Sequence, residues 1–264
     1  MRALVKARVR LKDSEFSVNV HVSDRHLEMN GKNYELSQVS LDIPITGTVY
    51  GTLLNFQGSL EALKEQVHHP PYNQPPIGPV LYIKPRNTFS AFAKPIPLPA
   101  GVPELEIGAS LGIVISKTAT RVKKAQAMDY IEGFTIVNDI SIPHESVYRP
   151  AVRFKARDGF CPIGPWVVTK DSILDPDCLG IRVYINGELR QENTTANLIR
   201  PISRLIEDVT DFMTLNAGDV LLVGVPENAP LAKANDHIRI EIDEIGYLEN
   251  PIIPEEKLAM EGIS

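Results

Sequence analysis

The stretch Val80-Leu81-Tyr82-Ile83-Lys84-Pro85-Arg86-Asn87-Thr88 is the starting point for interpreting this chain. Its apolar run predicts a buried strand that ends at two cations and a proline. Because a proline restricts the preceding residue to an extended conformation, Lys84 is expected at the very end of that strand. Arg86 would project on the same side if the strand continued. This pattern predicts an anion-binding pocket; a strand end with two solvated charges is the alternative.

Further motifs follow this stretch in a fixed order. They are PIPLP at 95–99, GFTIVNDIS at 133–141, KARDGF at 155–160, GPW at 164–166, NGELRQ at 186–191, TLNAGDV at 214–220 and LENP at 248–251. Together with the opening stretch they resemble the fumarylacetoacetate hydrolase superfamily over about residues 51 to 254. Because several motifs recur in one order, the resemblance is specific.

Within the superfamily, residues 143–150 and the run RDGFCPIG at 157–164 resemble one subgroup most. It is the N-terminal half, or N-terminal subunit, of the bifunctional isomerase/decarboxylases of 4-hydroxyphenylacetate breakdown. The resemblance implies an α+β, mainly β fold, with a mixed β-roll core and a few short helices. It also implies an isomerase/decarboxylase, a lyase, that acts on unsaturated keto acids derived from 5-carboxymethyl-2-hydroxymuconate. The expected assembly is a dimer, either of identical chains or with a homologous subunit.

Residues 1–50 are expected to form a small N-terminal β region, and residues 51–264 the hydrolase-like domain. Apolar residues alternate along the first segment, at Val5, Ala7, Val9 and Leu11, which is typical of half-buried strands. Asn30-Gly31 predicts a tight hairpin turn in this region.

The composition is that of an ordinary soluble globular protein. The 264 residues are 43% hydrophobic and 23% charged. The net charge of -6 argues against a nucleic-acid-binding surface, and no apolar run is long enough to span a membrane. The two cysteines, Cys161 and Cys178, show neither metal-binding spacing nor a disulfide framework, so a reducing cytoplasm is the predicted location.

The metal-binding pattern of the family is incomplete in this chain. The resemblance implies Mg²⁺ or Mn²⁺ held by three carboxylates, of which Asp139 is one. Gly108 and Ser110 stand where relatives carry two glutamates. Glu104 and Glu106 have the right spacing but lie four positions early, about 13 Å of strand, and would reach the ion only if the loop bulged. The sequence therefore predicts weak or absent metal binding.

The acid/base pair of the family is also missing. Its histidine and glutamate positions on a lid helix correspond here to Ser59 and Ala62. Neither side chain transfers protons near neutral pH, which argues against a plain hydrolase. A further pocket hydroxyl of the family is replaced by Val225. His144 could supply a titrating group instead, or it could be an exposed loop histidine.

The remaining site residues are assigned by resemblance. Lys155 would stabilise a carboxylate or enolate oxygen, and a structural Lys155–Asp158 ion pair is the alternative. The predicted catalytic residues are Lys155, Lys84 and Asp139, and the predicted substrate contacts are Arg86, Asp158, Gln191, Thr194 and Thr195.

Two functions of different class stay open on the sequence. In the first, the chain is itself an isomerase/decarboxylase. In the second, it is a metal-less, catalytically degenerate subunit that supports an active homologue. The retained Lys84, Lys155 and Asp139 favour the first, and the lost metal and lid positions favour the second.

Overall fold

The structure is a computed structural model that describes residues 3–11, 14–23, 26–29, 32–35, 39–70, 73–144 and 151–260. Its first ten strands are β1 (Ala3–Leu11), β2 (Ser14–Ser23), β3 (His26–Met29), β4 (Lys32–Glu35), β5 (Ser40–Asp42), β6 (Val49–Leu53), β7 (Val80–Lys84), β8 (Phe89–Ser90), β9 (Ile96–Leu98) and β10 (Leu105–Glu106). The others are β11 (Ala109–Ile115), β12 (Ile131–Asn138), β13 (Cys161–Thr169), β14 (Gly180–Ile185), β15 (Glu188–Thr194), β16 (Val220–Leu222), β17 (Leu231–Ala232), β18 (His237–Ile242) and β19 (Gly246–Pro254).

The main sheet has the strand order β4-β3-β2-β1-β13-β12-β11-β16-β6-β7, with β5 added on β1 and β8 on β13. Most of its neighbours are antiparallel, but β16 pairs with β6 in parallel. Every residue of β11 is buried, because this central strand is covered on both faces and therefore reads as a continuous apolar run. The predicted mainly β fold of mixed sheets is confirmed.

A second sheet, ordered β15-β14-β18-β19-β9, packs on the first, and β10 pairs with β17 in a small two-stranded sheet. Strand β18 buries Ile238, Ile240 and Ile242 in alternation, as expected for a strand with one face toward a core. One large apolar cluster joins these side chains to Leu111 and Phe134 of the main sheet. The core thus lies between the two sheets.

Over the described residues, four short α-helices flank the sheets: α1 (Gln57–Leu63), α2 (Val152–Lys155), α3 (Ile202–Phe212) and α4 (Glu255–Met260). The same described ranges contain 3₁₀ helices at Lys64–His68, Arg86–Thr88, Lys124–Tyr130, Lys170–Ser172 and Thr195–Asn197. Helix α3 buries an apolar stripe at helical spacing, which the sequence already shows. None of the helices in the described part of the chain has the length and apolar character needed to cross a membrane.

The N-terminal strands continue the main sheet, because β1 pairs with β13 through Val5 and Val168. Val5, Ala7 and Val9 are fully buried in the shared core. The division of the chain at residue 50 stays a prediction. The Asn30-Gly31 turn lies outside the described residues; the flanking β3 and β4 pair antiparallel on either side of it.

Candidate active site

A cavity of about 890 Å³ opens where β7, the end of β12, α1, α2 and the loop after β16 meet. This volume is in the range of small-molecule sites. Its walls include apolar side chains such as Leu53, Leu81 and Val225. In the described part of the chain, the titratable side chains that line it are Tyr82, Glu106, Asp139, His144, Lys155 and Glu227.

Asp139 is the centre of an ionic cluster at one end of this cavity. Its Oδ1 atom lies 3.0 Å from Lys84 Nζ, and its Oδ2 atom lies 3.1 Å from Lys155 Nζ. The Tyr82 hydroxyl donates a hydrogen bond to the same Oδ2. Lys155 Nζ also sits 5.0 Å from the centre of the Tyr82 ring. We call these four residues the Asp139 cluster.

Lys84 supports this cluster from behind. Its side chain is fully buried, and its ammonium donates to the carbonyl oxygens of Ile140 at 3.0 Å and Lys155 at 2.8 Å. With the ion pair to Asp139, these contacts join β7, the end of β12 and the end of α2. Lys84 therefore positions the other members of the cluster, whereas Lys155, with 14% of its side chain exposed, faces the cavity.

The cluster fixes the protonation states of its two acids. Burial alone would raise the pKa of Asp139, but the ammonium groups of Lys155 and Lys84 hold it well below its usual range. Burial, together with the Asp139 charge, raises the pKa of Tyr82 well above its usual value. Near neutral pH, Asp139 is thus a carboxylate and Tyr82 a neutral donor. Two ammonium groups and one carboxylate leave the cluster with a net positive charge.

A glycine on the neighbouring strand makes room for the Tyr82 ring. Gly51 on β6 is the register partner of Tyr82 on β7. A Cβ atom added at Gly51 would lie 2.0 Å from Tyr82 Cζ. The absent side chain therefore lets the phenol lie across β6 toward Asp139.

The residues around Asp139 do not fit the three-carboxylate metal site of the family. Both carboxylate oxygens of Asp139 face ammonium groups, and Gly108, opposite it, offers no side chain. Ser110 is fully buried. Glu106 lines the same cavity as Asp139, whereas Glu104 is absent from its lining. In the described ranges, no three His, Cys, Asp or Glu side chains come together as a metal site would need.

The loop after β16 forms the opposite wall of the cavity and carries Glu227. Two side chains of β15 hold it, because Gln191 Nε2 donates to the Glu227 carbonyl oxygen at 2.6 Å and Asn193 Nδ2 donates to Glu227 Oε1 at 3.0 Å. Ser59 of α1 donates from its hydroxyl to the Val225 carbonyl oxygen at 3.2 Å. Ser59 and Ala62 both line the cavity, so α1 borders it as the lid helix of relatives would. This helix begins at Gln57, before Ser59.

The structure brings Lys84, Lys155 and Asp139 together and leaves the predicted substrate contacts outside the cavity lining. Arg86 is exposed beyond the end of β7. Asp158 is exposed and accepts a hydrogen bond from Asn87 at 2.6 Å instead of pairing with Lys155.

The side chains of the three remaining predicted contacts form hydrogen bonds with main-chain atoms. Thr194 accepts a hydrogen bond from Ala196 N at the start of a 3₁₀ helix. Thr195 is buried; its hydroxyl accepts from Leu179 N and donates to Pro176 O. Gln191 reaches the cavity only through the loop that it holds.

Sequence reasoning overlooked two residues of the site. Tyr82 precedes Lys84 by two positions on β7, so strand alternation placed both on one face and gave a usable signal. Glu227 lies in a loop without a motif of its own, so the sequence contains no signal that would have identified it. His144, weighed as a titrating group, does line the cavity; its Nδ1 lies 2.8 Å from Ile142 O and its ring stacks on Phe154.

Comparison with known proteins identifies the family and the fold of the chain. The family model described as fumarylacetoacetate (FAA) hydrolase C-terminal matches residues 48–253. The 4-hydroxyphenylacetate degradation bifunctional isomerase/decarboxylase of Salmonella dublin is 39% identical over 213 residues, which are 81% of this chain and 48% of that protein. The chain thus spans about half the length of this curated relative. That the matching half is the N-terminal one stays a prediction.

Solved structures share the fold over nearly the whole chain. The crystal structure of 5-carboxymethyl-2-hydroxymuconate delta-isomerase from Mycobacterium smegmatis has a TM-score of 0.79 at 31% identity and covers 96% of this chain and 99% of its own. Maleylpyruvate hydrolase from Sphingobium, in complex with manganese and pyruvate, has a TM-score of 0.75 at 23% identity over 96% of this chain and 99% of its own, a likeness of fold alone. The chain belongs to the fumarylacetoacetate hydrolase family.

Proposed function

We propose that this chain is an isomerase/decarboxylase subunit that acts on unsaturated keto acids derived from 5-carboxymethyl-2-hydroxymuconate in 4-hydroxyphenylacetate catabolism. The observation that carries the proposal is the partly exposed Lys155 ammonium of a net positive, buried cluster at a cavity of about 890 Å³. Tautomerising or decarboxylating such an acid generates an enolate. A fixed cation in a cavity with largely apolar walls stabilises that developing negative charge.

Each member of the Asp139 cluster has a distinct part in this proposal. Lys155 faces the substrate oxygen. Asp139 holds the Lys155 ammonium in place, and Lys84 and Tyr82 hold Asp139 through the contacts described above. The apolar walls formed by residues such as Leu53 and Leu81 suit the conjugated carbon chain of the substrate.

The relatives support this substrate class. The Salmonella protein carries isomerase and decarboxylase activities in its name, and the Mycobacterium smegmatis structure is named a 5-carboxymethyl-2-hydroxymuconate isomerase. The two free cysteines, Cys161 and Cys178, agree with the predicted reducing cytoplasm.

The test is turnover of 5-carboxymethyl-2-hydroxymuconate, followed by loss of its dienol absorbance and by release of CO₂. Lys155→Met should lower kcat by about 10²-fold or more, the usual effect of removing one donor to a developing oxyanion. Lys117→Met is the matched control, because Lys117 also lies over a tyrosine ring, 4.5 Å from the Tyr130 centroid, but outside the cavity lining. Equal turnover in both variants would contradict the proposal.

A second candidate function is that of a metal-less partner for an active homologue. It is favoured by the poor fit to a metal and by Ser59 and Ala62 at the lid positions. The apolar side chains of Ile83 and Val152, which line the cavity and are 58% and 65% exposed, would suit contact with a second subunit. A dimer in light scattering, combined with turnover only after a homologous subunit is added, would favour this function over the first.

A further inference from the structure

The Asp139 cluster stabilises charge but is poorly suited to carry a proton from one substrate atom to another. The pKa of Asp139 is too low for it to accept a proton near neutral pH, and the pKa of Tyr82 is too high for it to lose one. Ser59 and Ala62 occupy the positions of the family's acid/base pair. A tautomerisation in this cavity therefore needs another titratable side chain.

Among the described residues, three other titratable side chains line the cavity. His144 is engaged with Ile142 O through Nδ1 and stacked on Phe154. Glu106 lies near Ser141, whose hydroxyl is 3.4 Å from Glu106 Oε1. Glu227 is different, because its Oε1 accepts from Asn193 while its buried Oε2 has no hydrogen-bond partner among the described residues.

A buried carboxylate oxygen without a partner is unusual and calls for an explanation. The rest of the Glu227 environment is built to hold it. Gln191 and Asn193 are two residues apart on β15 and so project on one face, and they fix the main chain and the side chain of Glu227 respectively. The unpaired Oε2 thus belongs to a side chain that is fixed, at a wall of the cavity.

Helix α1 also accommodates this carboxylate. A Cβ atom added at Gly58 would lie 2.2 Å from Glu227 Cδ. Gly58 directly precedes Ser59, the position that corresponds to the lid histidine of relatives. The Glu227 carboxyl group therefore packs against the lid helix beside the position where relatives place an acid/base side chain, although it comes from a different loop.

We propose that Glu227 is the catalytic residue that accepts and returns the substrate proton, an inference that rests on the function proposed above. Its carboxylate removes the enol O–H proton of the dienol substrate, and the O–H electron pair stays on an enolate oxygen that Lys155 stabilises. The protonated Glu227 then donates a proton to the far carbon of the conjugated system. The electron pair of the terminal C=C bond forms the new C–H bond there, the remaining double bonds shift as the enolate oxygen becomes the keto oxygen, and the carboxylate is regenerated, so that no co-reactant is needed.

The test combines isomerisation of 5-carboxymethyl-2-hydroxymuconate with deuterium uptake at carbon from D₂O, observed by ¹H NMR. Glu227→Gln keeps the shape of the side chain and removes the base, so both rates should fall about 10²- to 10⁴-fold. The dissociation constant for the substrate, measured by equilibrium dialysis, should change less than about 3-fold, because Lys155 still provides most of the charge attraction. Glu61→Gln changes an exposed carboxylate on helix α1, the helix against which Glu227 packs. It is the matched control and should leave both rates unchanged.

Two further variants keep the outcome decisive. Glu227→Asp retains the charge but shortens the side chain, so its rates should lie between those of the wild type and Glu227→Gln. Glu106→Gln tests the competing carboxylate. If the wild type is active and Glu227→Gln keeps its rates, or if only Glu106→Gln loses activity, the role of Glu227 is overturned. The proposed function would still stand in that case. A wild type that binds the acid but exchanges no proton, with or without a homologous subunit, would overturn the proposed function and this inference together.

Discussion

Asp139 and Glu227 are two carboxylates that line one cavity in very different surroundings. Asp139 contacts two ammonium groups and a phenol, whereas Glu227 receives one hydrogen bond from the neutral amide of Asn193. The charged partners of Asp139 hold its carboxylate in the ionised form. The charge of their partners therefore distinguishes Asp139, a positioning group, from Glu227, the proposed proton carrier.

The largest expected effect concerns the stability of the Asp139 cluster. Asp139→Leu leaves the fully buried Lys84 ammonium without its counter-ion, which should lower the free energy of unfolding by about 3–5 kcal/mol. Glu227→Gln should cost less than about 1 kcal/mol, because it removes no ion pair. Urea unfolding of both variants measures the difference. The exposed Asp171→Asn is the control, with an expected change within about 0.5 kcal/mol. A loss below about 1 kcal/mol for Asp139→Leu would show that the ammonium groups do not depend on Asp139.

A smaller effect is expected when the space for Tyr82 is filled. Gly51→Ala places a methyl group 2.0 Å from Tyr82 Cζ, so the phenol must move away from Asp139. We expect a loss of about 1–3 kcal/mol in the free energy of unfolding, as for overpacking in other cores. Gly78→Ala is the control, since nothing lies within 4 Å of an added Cβ there. Equal thermal unfolding midpoints for the two variants would contradict this expectation. They would mean that the Tyr82 side chain moves aside at no cost in stability.

The smallest effect is expected from divalent cations. Isothermal titration of the wild type with Mg²⁺ or Mn²⁺ should show no stoichiometric binding at micromolar concentration, because lysine ammonium groups occupy both sides of the Asp139 carboxylate. Tight one-to-one binding that disappears in Glu106→Gln would contradict this and would assign Glu106 as a ligand.

Restoring the family's glutamates at Gly108 and Ser110 should not create the metal site. A Cβ atom at Gly108 would lie 2.3 Å from the Asp139 carbonyl oxygen. The double variant Gly108→Glu with Ser110→Glu should therefore lower the thermal unfolding midpoint instead of gaining affinity for Mg²⁺. An unchanged midpoint together with one-to-one Mg²⁺ binding would contradict this account.

The sequence predicts those parts of the site that lie inside motifs. Lys84, Asp139 and Lys155 each occupy a motif position, and the structure brings them together. The geometry of Glu227 was beyond prediction, because its partners come from β15 and α1, which are far away in the chain.

The fold, too, has parts that local sequence patterns predict and parts that depend on long-range contacts. Local alternation and helical spacing indicate the individual strands and helix α3. The pairing of β1 with β13 joins residues more than 160 positions apart, and local patterns do not encode such partners. For the same reason, Gln191 and Thr195 look like substrate contacts in the sequence, whereas long-range contacts give them backbone partners in the structure.

Asp139 stays ionised because the ammonium groups of Lys84 and Lys155 stabilise its charge. Because its pKa is lowered in the folded state, its contribution to stability is complete above about pH 4, the ordinary value for an unfolded aspartate, and is lost as the pH falls further. The most direct measurement is an acid titration of the Asp139 carboxyl carbon by ¹³C NMR, with the resonance assigned by its absence in Asp139→Asn. We predict that the carbon keeps its ionised chemical shift down to about pH 3. A titration midpoint at or above about pH 4 would contradict the account.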